Sequence, residues 1–156
     1  RQKAEMFQNE MRKIGIKIKL NVNTWPELSK KMKTKQAQIF GYAWGADYPD
    51  PENILQLLYG KNEAPGPNNS NFKNDKYDVL YSKMKNMPNN PERLKIINEM
   101  IQIFYNESPW ILSMHRTQNT LLHKWITNYK PNSMAQGLFK YYKIDTKLRE
   151  EMKKNM

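Results

Sequence analysis

The chain has 156 residues, the length of one domain, and it contains no cysteine, which excludes a disulfide framework and cysteine-based metal or redox sites. It holds no apolar run of about 18 residues and no basic start followed by an apolar stretch, so its sequence predicts neither a membrane span nor a signal peptide. The formal net charge of +11 raises nucleic acid, anionic membranes or acidic ligands as partners, but the densest basic run, residues 30–35, is short and fits a solvated face.

The amino terminus predicts a helix that ends near Gly15. Apolar residues recur there at helical spacing, and Gly15 can adopt the positive φ that follows a helix end. The chain begins at Arg1 rather than at a methionine, and its first residues already have a helical pattern, so we expect a piece of a longer protein. The apolar positions of this helix are Ala4, Phe7, Met11 and Ile14.

The next segment predicts a βαβ unit. Apolar and charged or polar residues alternate over residues 16–22, which is the period of a strand with one apolar face. Thr24 and Glu27 form a capping-box pattern that opens a short helix, and residues 39–44 form a continuous apolar run of strand length. The connection suits a helical crossover and is too long for a tight hairpin, so we expect the two strands to be parallel neighbours.

The rest of the chain predicts helices separated by polar segments. Asp50 as a cap and Pro51 as the first residue open a helix that Gly60 ends, and residues 61–74 form a polar loop. Further helices are predicted over residues 75–87, 90–104 and 145–152, and short extended segments over residues 110–114 and 120–122.

The loop after the second predicted strand is the candidate binding site. Ligands of open α/β sheets bind outside the carboxyl ends of the strands, and residues 45–50 leave such an end. Asp47 is the acidic residue of this loop without a predicted capping role, and a carboxylate near Trp44 and Tyr48 suits an ammonium group. The alternative is that Asp47 only makes a local Asx turn, which turn statistics alone favour.

The segment IFGYAWGADYPDP, residues 39–51, resembles the characteristic segment of the family 5 extracellular solute-binding proteins, the oligopeptide- and dipeptide-binding receptors. The resemblance covers nearly the whole chain in the family's order. The other matching stretches are the helix and strand of residues 1–20, the asparagine-rich loop 68–72 with Tyr77 and Asp78, the helix start at residues 90–93, and residues 108–115.

This resemblance implies an α/β architecture, part of a type II periplasmic-binding-protein-like fold in which two lobes close around an extended peptide. Residues 1–109 would form the second, C-terminal lobe. Residues 110–156 would supply the crossover strand that returns to the first lobe and the C-terminal segment packing toward it. The N-terminal lobe would be absent from the chain.

The resemblance also implies the residues of the binding site. In the family's peptide receptors the acidic residue matching Asp47 pairs with the α-ammonium of the peptide, so the resemblance favours Asp47 as the amine anchor over the Asx turn. Trp44 and Tyr48 would line side-chain pockets. Asn69 and Phe72, in the segment of residues 68–72, would border the cleft.

The implied function is that of the substrate-binding component of an ABC importer, which captures oligopeptides and delivers them to the membrane permease. The protein would be a monomer without a cofactor, located in the periplasm or at the cell surface as a lipoprotein, with its signal segment outside this chain. Related members bind nickel complexes, haem or oligosaccharides, so another solute stays an open alternative. The high positive charge would suit acidic cargo.

Catalytic and metal sites are not predicted. Asp47, Asp50 and Glu52 could resemble paired carboxylates, but Asp50 has a capping role and acidic turns commonly serve no catalysis. His115 and His123 lack the spacing of a helical HExxH site, and no GxSxG or GxGxxG motif is present. Two alternatives remain: a basic nucleic-acid-binding module, which salt-sensitive binding to DNA or RNA would reveal, and a hydrolase or metal enzyme using the acidic loop, which substrate turnover would reveal.

Overall fold

The computed structural model describes residues 2–132, 134–135 and 137–154. Its regular structure is helical: α1 spans Gln2–Lys13, α2 Trp25–Lys33, α3 Glu52–Leu55, α4 Asp75–Met84, α5 Pro91–Glu107 and α6 Thr146–Lys154. Short 3₁₀ turns lie at Gln56–Leu58, Gly60–Asn62 and Leu138–Tyr141. Across the described ranges, every helix is too short or too polar to cross a membrane.

The helix ends follow the predicted capping residues. The backbone N–H of Thr24 donates to Glu27 Oε2 at 2.8 Å, as the capping box at the start of α2 requires. Asn90 Oδ1 accepts from the backbone N–H of Arg93 at 2.8 Å and so caps α5. Gly15 has a φ of +82° just beyond α1. These local predictions are confirmed because each depends on residues a few positions apart.

The predicted strands are the main departure from expectation. Residues 16–22 and 39–44 form no ladder, so the βαβ unit with parallel neighbours is not found. Residues 110–114 and 120–122 also lack regular structure. Within the described residues, β pairing is limited to isolated bridges, Glu63 with Asn68 and Ile126 with Ile144. The alternating pattern specifies which face is apolar, whereas a ladder also needs a second backbone alongside.

Several apolar side chains of those segments are exposed. Val22 is 93 % exposed, Ile39 71 % and Leu121 95 %, values expected for strand faces that no other layer covers. The first segment is held to α1 by a hydrogen bond from Gln8 Nε2 to the carbonyl of Ile18 at 2.6 Å.

The hydrophobic core lies between the turns after α3 and the helices α4 and α5. Tyr77, Met84 and Met100 have no exposed surface, and Phe72 and Trp110 pack against the edge of the core. The buried members are Leu55, Leu58, Tyr59, Tyr77, Tyr81, Met84, Ile96, Ile97 and Met100. α4 and α5 therefore form the surface on which the turns after α3 pack.

The predicted polar loop has a buried centre at Asn68. Its Nδ2 donates to the carbonyls of Tyr59 at 3.1 Å and Phe72 at 2.9 Å, and its Oδ1 accepts from Ser70 Oγ at 2.9 Å. Asn68 is completely buried, so its side chain replaces the hydrogen bonds that the loop backbone would otherwise make to water. The loop lacks long regular elements, as predicted, yet its shape is fixed.

Candidate functional site

The candidate site is the loop of residues 45–51, which leads from residues 39–44 into α3. The backbone N–H of Glu52 donates to Asp50 Oδ1 at 2.8 Å, so Asp50 has the capping role predicted for it. The carbonyl of Asp50 also accepts from the backbone N–H of Asn53 at 3.1 Å. The end of the loop is therefore tied to the first turn of α3.

Asn53 joins two of the predicted site residues. Its Oδ1 accepts from Trp44 Nε1 at 2.8 Å and from the backbone N–H of Asp47 at 3.3 Å, and its Nδ2 lies 3.4 Å from Asp47 Oδ2. Asn53 is 1 % exposed, whereas Asp47 is exposed and Trp44 is half-buried. Sequence reasoning missed Asn53. The available signal was its place on the first turn of the helix that the loop enters.

Tyr48 and Glu52 form a second contact at the site. Tyr48 is 42 % exposed, and its hydroxyl donates to one carboxylate oxygen of Glu52, while the hydroxyl of Tyr81 donates to the other. Burial raises the pKa of Tyr81, and the hydrogen bond to Glu52 adds to that increase. The hydrogen bond from Tyr48 to Glu52 likewise raises the pKa of Tyr48. Tyr48 therefore has its hydroxyl engaged and its ring open to solvent.

Asn69 and Phe72 are placed differently from the other predicted residues. Phe72 meets Tyr77 edge to face, with 5.9 Å between ring centroids, and packs on the core. Asn69 donates to the carbonyl of Pro67 at 3.3 Å within its own loop. Within the described chain, their contacts are local or with the core, so the structure does not bring them together with Asp47.

Arg93 fixes the far end of the loop. Its guanidinium donates to Asp50 Oδ1 at 2.7 Å and to Oδ2 at 3.0 Å, and it is only 4 % exposed. Sequence reasoning missed this pair. A signal existed, since Arg93 lies three, four and seven residues before Ile96, Ile97 and Met100, on the face of α5 that is buried.

Lowering the pH is expected to reduce the free energy of unfolding, because Asp50 becomes protonated. The hydrogen bonds from Arg93 lower the pKa of Asp50 in the folded state. A carboxyl with a lowered pKa contributes stability above its unfolded pKa of about 3.9, and this contribution is lost as the pH falls toward the folded value. Denaturant unfolding between about pH 6 and pH 3 measures the loss, and Asp50→Asn should flatten that part of the profile. An unchanged slope in the variant would contradict the assignment.

Two surface cavities lie elsewhere. One, of about 510 Å³, is lined by His123, Trp125, Ile144, Arg149 and Lys153. The other, of about 580 Å³, is lined by Trp25, Pro26, Ser29, Lys30, Lys33 and Thr34. Neither of these two cavities is lined by a residue of the candidate loop. The described part of the chain has no group of three or more histidine or acidic residues that could hold a metal ion.

Comparison with known proteins shows which family the chain resembles. Residues 1–66 match the model of the bacterial extracellular solute-binding proteins, family 5 middle region. This stretch contains the loop with Trp44, Asp47 and Tyr48. The match, together with the relatives described next, confirms the resemblance indicated by the sequence, and the family implies a type II periplasmic-binding fold.

Individual relatives are peptide-binding proteins by name. The chain is 28 % identical over 141 residues to di/tripeptide-binding protein 1 of Pseudomonas aeruginosa strain UCBPP-PA14, covering 90 % of this chain and 26 % of the relative. It is 21 % identical to the dipeptide-binding protein of Escherichia coli K12, covering 93 % and 27 %. It is 25 % identical to the oligopeptide-binding protein OppA of Bacillus subtilis 168, covering 68 % and 19 %. The chain thus spans about a quarter of the length of such relatives. No solved structure matches it significantly.

Proposed function

We propose that this chain is part of the substrate-binding component of an ABC importer, which captures short peptides and delivers them to a membrane permease. The proposal is supported by the family match over residues 1–66 and by relatives named for di-, tri- and oligopeptide binding. It places the protein in the periplasm or at the cell surface, where we propose a monomeric lipoprotein with no enzymatic activity.

The chain would contribute to two parts of a larger receptor. We propose that residues 1–109 form much of the C-terminal lobe and that residues 110–156 return toward the other lobe. The exposed apolar segments of residues 16–22 and 39–44 are consistent with such a lobe, because a sheet completed by further strands would cover them. Peptide would bind preferentially to the closed arrangement of the lobes and so shift the population toward it.

Asp47 is the proposed anchor for the α-ammonium of the peptide. The observation that carries this assignment is its exposed carboxylate, of which Oδ2 faces the amide of Asn53 while Oδ1 has no hydrogen bond within the described chain. The exposed ring of Tyr48 and the half-buried ring of Trp44 would provide apolar and cation–π surface beside it. Asn69 and Phe72 remain candidates for the border of the cleft.

Asp47→Ala is expected to weaken peptide binding about 10- to 100-fold, because a hydrogen bond to a charged group contributes about 1.5–3 kcal/mol. The measurement is calorimetric binding of a pool of free di- and tripeptides to the full-length protein. N-acetylation should lower the affinity of the peptides for the unmodified protein by a similar factor. It should lower their affinity for the variant only slightly, because the anchor is already missing there.

Asp75→Ala is the matched control, since Asp75 is an exposed aspartate in the first turn of α4. It should leave binding unchanged. If no peptide binds to the full-length protein, the peptide assignment fails, and metal complexes, oligosaccharides and nucleic acid become the ligands to test. If peptides bind equally well with and without acetylation, the family function stands but Asp47 is not the amine anchor.

A further inference from the structure

Asn53 offers an inference that rests on the proposed function and goes one step further. It lies on α3, outside the loop that carries the ligand-facing residues, and it is 1 % exposed. A buried amide has four hydrogen-bonding positions to satisfy, and here its known partners all belong to the candidate site.

The orientation of the Asn53 amide follows from its partners. The indole N–H of Trp44 and the backbone N–H of Asp47 are groups that only donate, so the oxygen of Asn53 must face both. The NH₂ group then points toward Asp47 Oδ2, 3.4 Å away. The amide of Asn53 therefore contacts both the backbone N–H and the side-chain carboxylate of Asp47.

This arrangement limits what each site residue can offer a ligand. With Asp47 Oδ2 facing Asn53, the oxygen left for an ammonium group is Oδ1. Because the indole N–H of Trp44 is already bonded to Asn53, Trp44 can present its ring face to a ligand but has no hydrogen bond to donate. The site would favour an ammonium group next to an apolar or aromatic side chain.

We infer that Asn53 is a positioning residue, which holds Asp47 and Trp44 in the arrangement that binds the ligand ammonium. It does not touch the ligand itself. The position of Asn53 is in turn fixed by its burial and by the bond from its backbone N–H to the carbonyl of Asp50.

Asn53→Asp tests this inference with a side chain of nearly the same shape. The carboxylate can still accept from Trp44 and from the backbone of Asp47, but it replaces the NH₂ donor by an oxygen facing the Asp47 carboxylate. Two carboxyl groups at that distance must share a proton or move apart. We expect binding of the tightest free peptide of the pool to the full-length protein to weaken at least about tenfold, as for residues that orient a binding group.

The decisive readout is a double-mutant cycle with Asp47→Ala. If Asn53 acts through Asp47, Asn53→Asp should change the affinity by less than about twofold when Asp47 is already alanine. Asn23→Asp is the matched control, because it makes the same substitution at a partly exposed loop position outside the candidate site, and it should leave affinity unchanged in both backgrounds. Asn53→Ala is the second variant, for use if the first fails to fold; its loss of affinity should be smaller when Asp47 is already alanine, because only the effect through Trp44 then remains.

The outcomes separate the inference from the proposed function. An equal loss of affinity in both Asp47 backgrounds, or no loss at all in a folded Asn53 variant, would overturn the positioning role while leaving peptide binding intact. Failure of the unmodified protein to bind any free peptide would instead refute the proposed function.

Discussion

Arg93→Ala is expected to lower the free energy of unfolding by about 2–4 kcal/mol, because it leaves the partly buried carboxylate of Asp50 without its charged hydrogen-bond donor. Arg93 is 4 % exposed and donates to both oxygens of Asp50, whose side chain is 28 % exposed. It also donates to the carbonyl of Met84 and to Asn89. Denaturant unfolding followed by tryptophan fluorescence measures the change.

The control for Arg93 is an exposed ion pair. Lys83 lies 3.1 Å from Glu92, and both side chains are at least 60 % exposed. Lys83→Ala should therefore change the free energy of unfolding by less than about 1 kcal/mol. A loss below that value for Arg93→Ala as well would show that the Asp50–Arg93 pair contributes no more than a surface pair.

Met100→Ala is expected to lower the free energy of unfolding by about 2–5 kcal/mol. Met100 has no exposed surface and lies on the face of α5 that packs against the rest of the core. Truncation removes buried apolar area and leaves a cavity that the neighbouring helices can fill only in part. The same unfolding experiment gives the value.

Met6→Ala is the matched control for Met100, because Met6 lies in α1 and is 65 % exposed. Its effect should stay within about 0.5 kcal/mol. If the two substitutions had equal effects, the core would not lie where the structure places it.

The helices could be predicted because their determinants are close in sequence. Asn90 with Pro91 starts α5, and Thr24 with Glu27 starts α2, in each case through hydrogen bonds that span three residues. Asp145 likewise accepts from the backbone N–H of Leu148 at the start of the last helix, which the sequence predicted over residues 145–152.

The strands could not be established in the same way. Residues 16–22 carry an alternating pattern that indicates one apolar face, but pairing depends on which backbone lies alongside, and that information is distant in sequence. The structure leaves this segment and residues 39–44 without regular structure and without a ladder. The expected parallel neighbours were therefore wrong for this chain, although the predicted apolar positions Ile18 and Leu20 are partly buried while Lys17 and Lys19 are exposed.

The candidate site was predictable in part. Trp44, Asp47 and Tyr48 lie within five consecutive residues, so their proximity follows from the sequence. Asn53 and Arg93 became visible only in the fold, because the contact of Arg93 with Asp50 joins residues far apart in the chain. Hydrogen-bond partners of this kind depend on how α5 packs, which no local pattern encodes.

The core also has a consequence for the order of folding. Its buried residues all fall between positions 55 and 100, so their contacts close short loops of chain and cost little entropy. Contacts that are local in sequence form quickly, and during synthesis an upstream segment can fold before the downstream one has left the ribosome. The packed helices α4 and α5, from which Arg93 binds Asp50, can thus be complete while the residues after 110 are still being made.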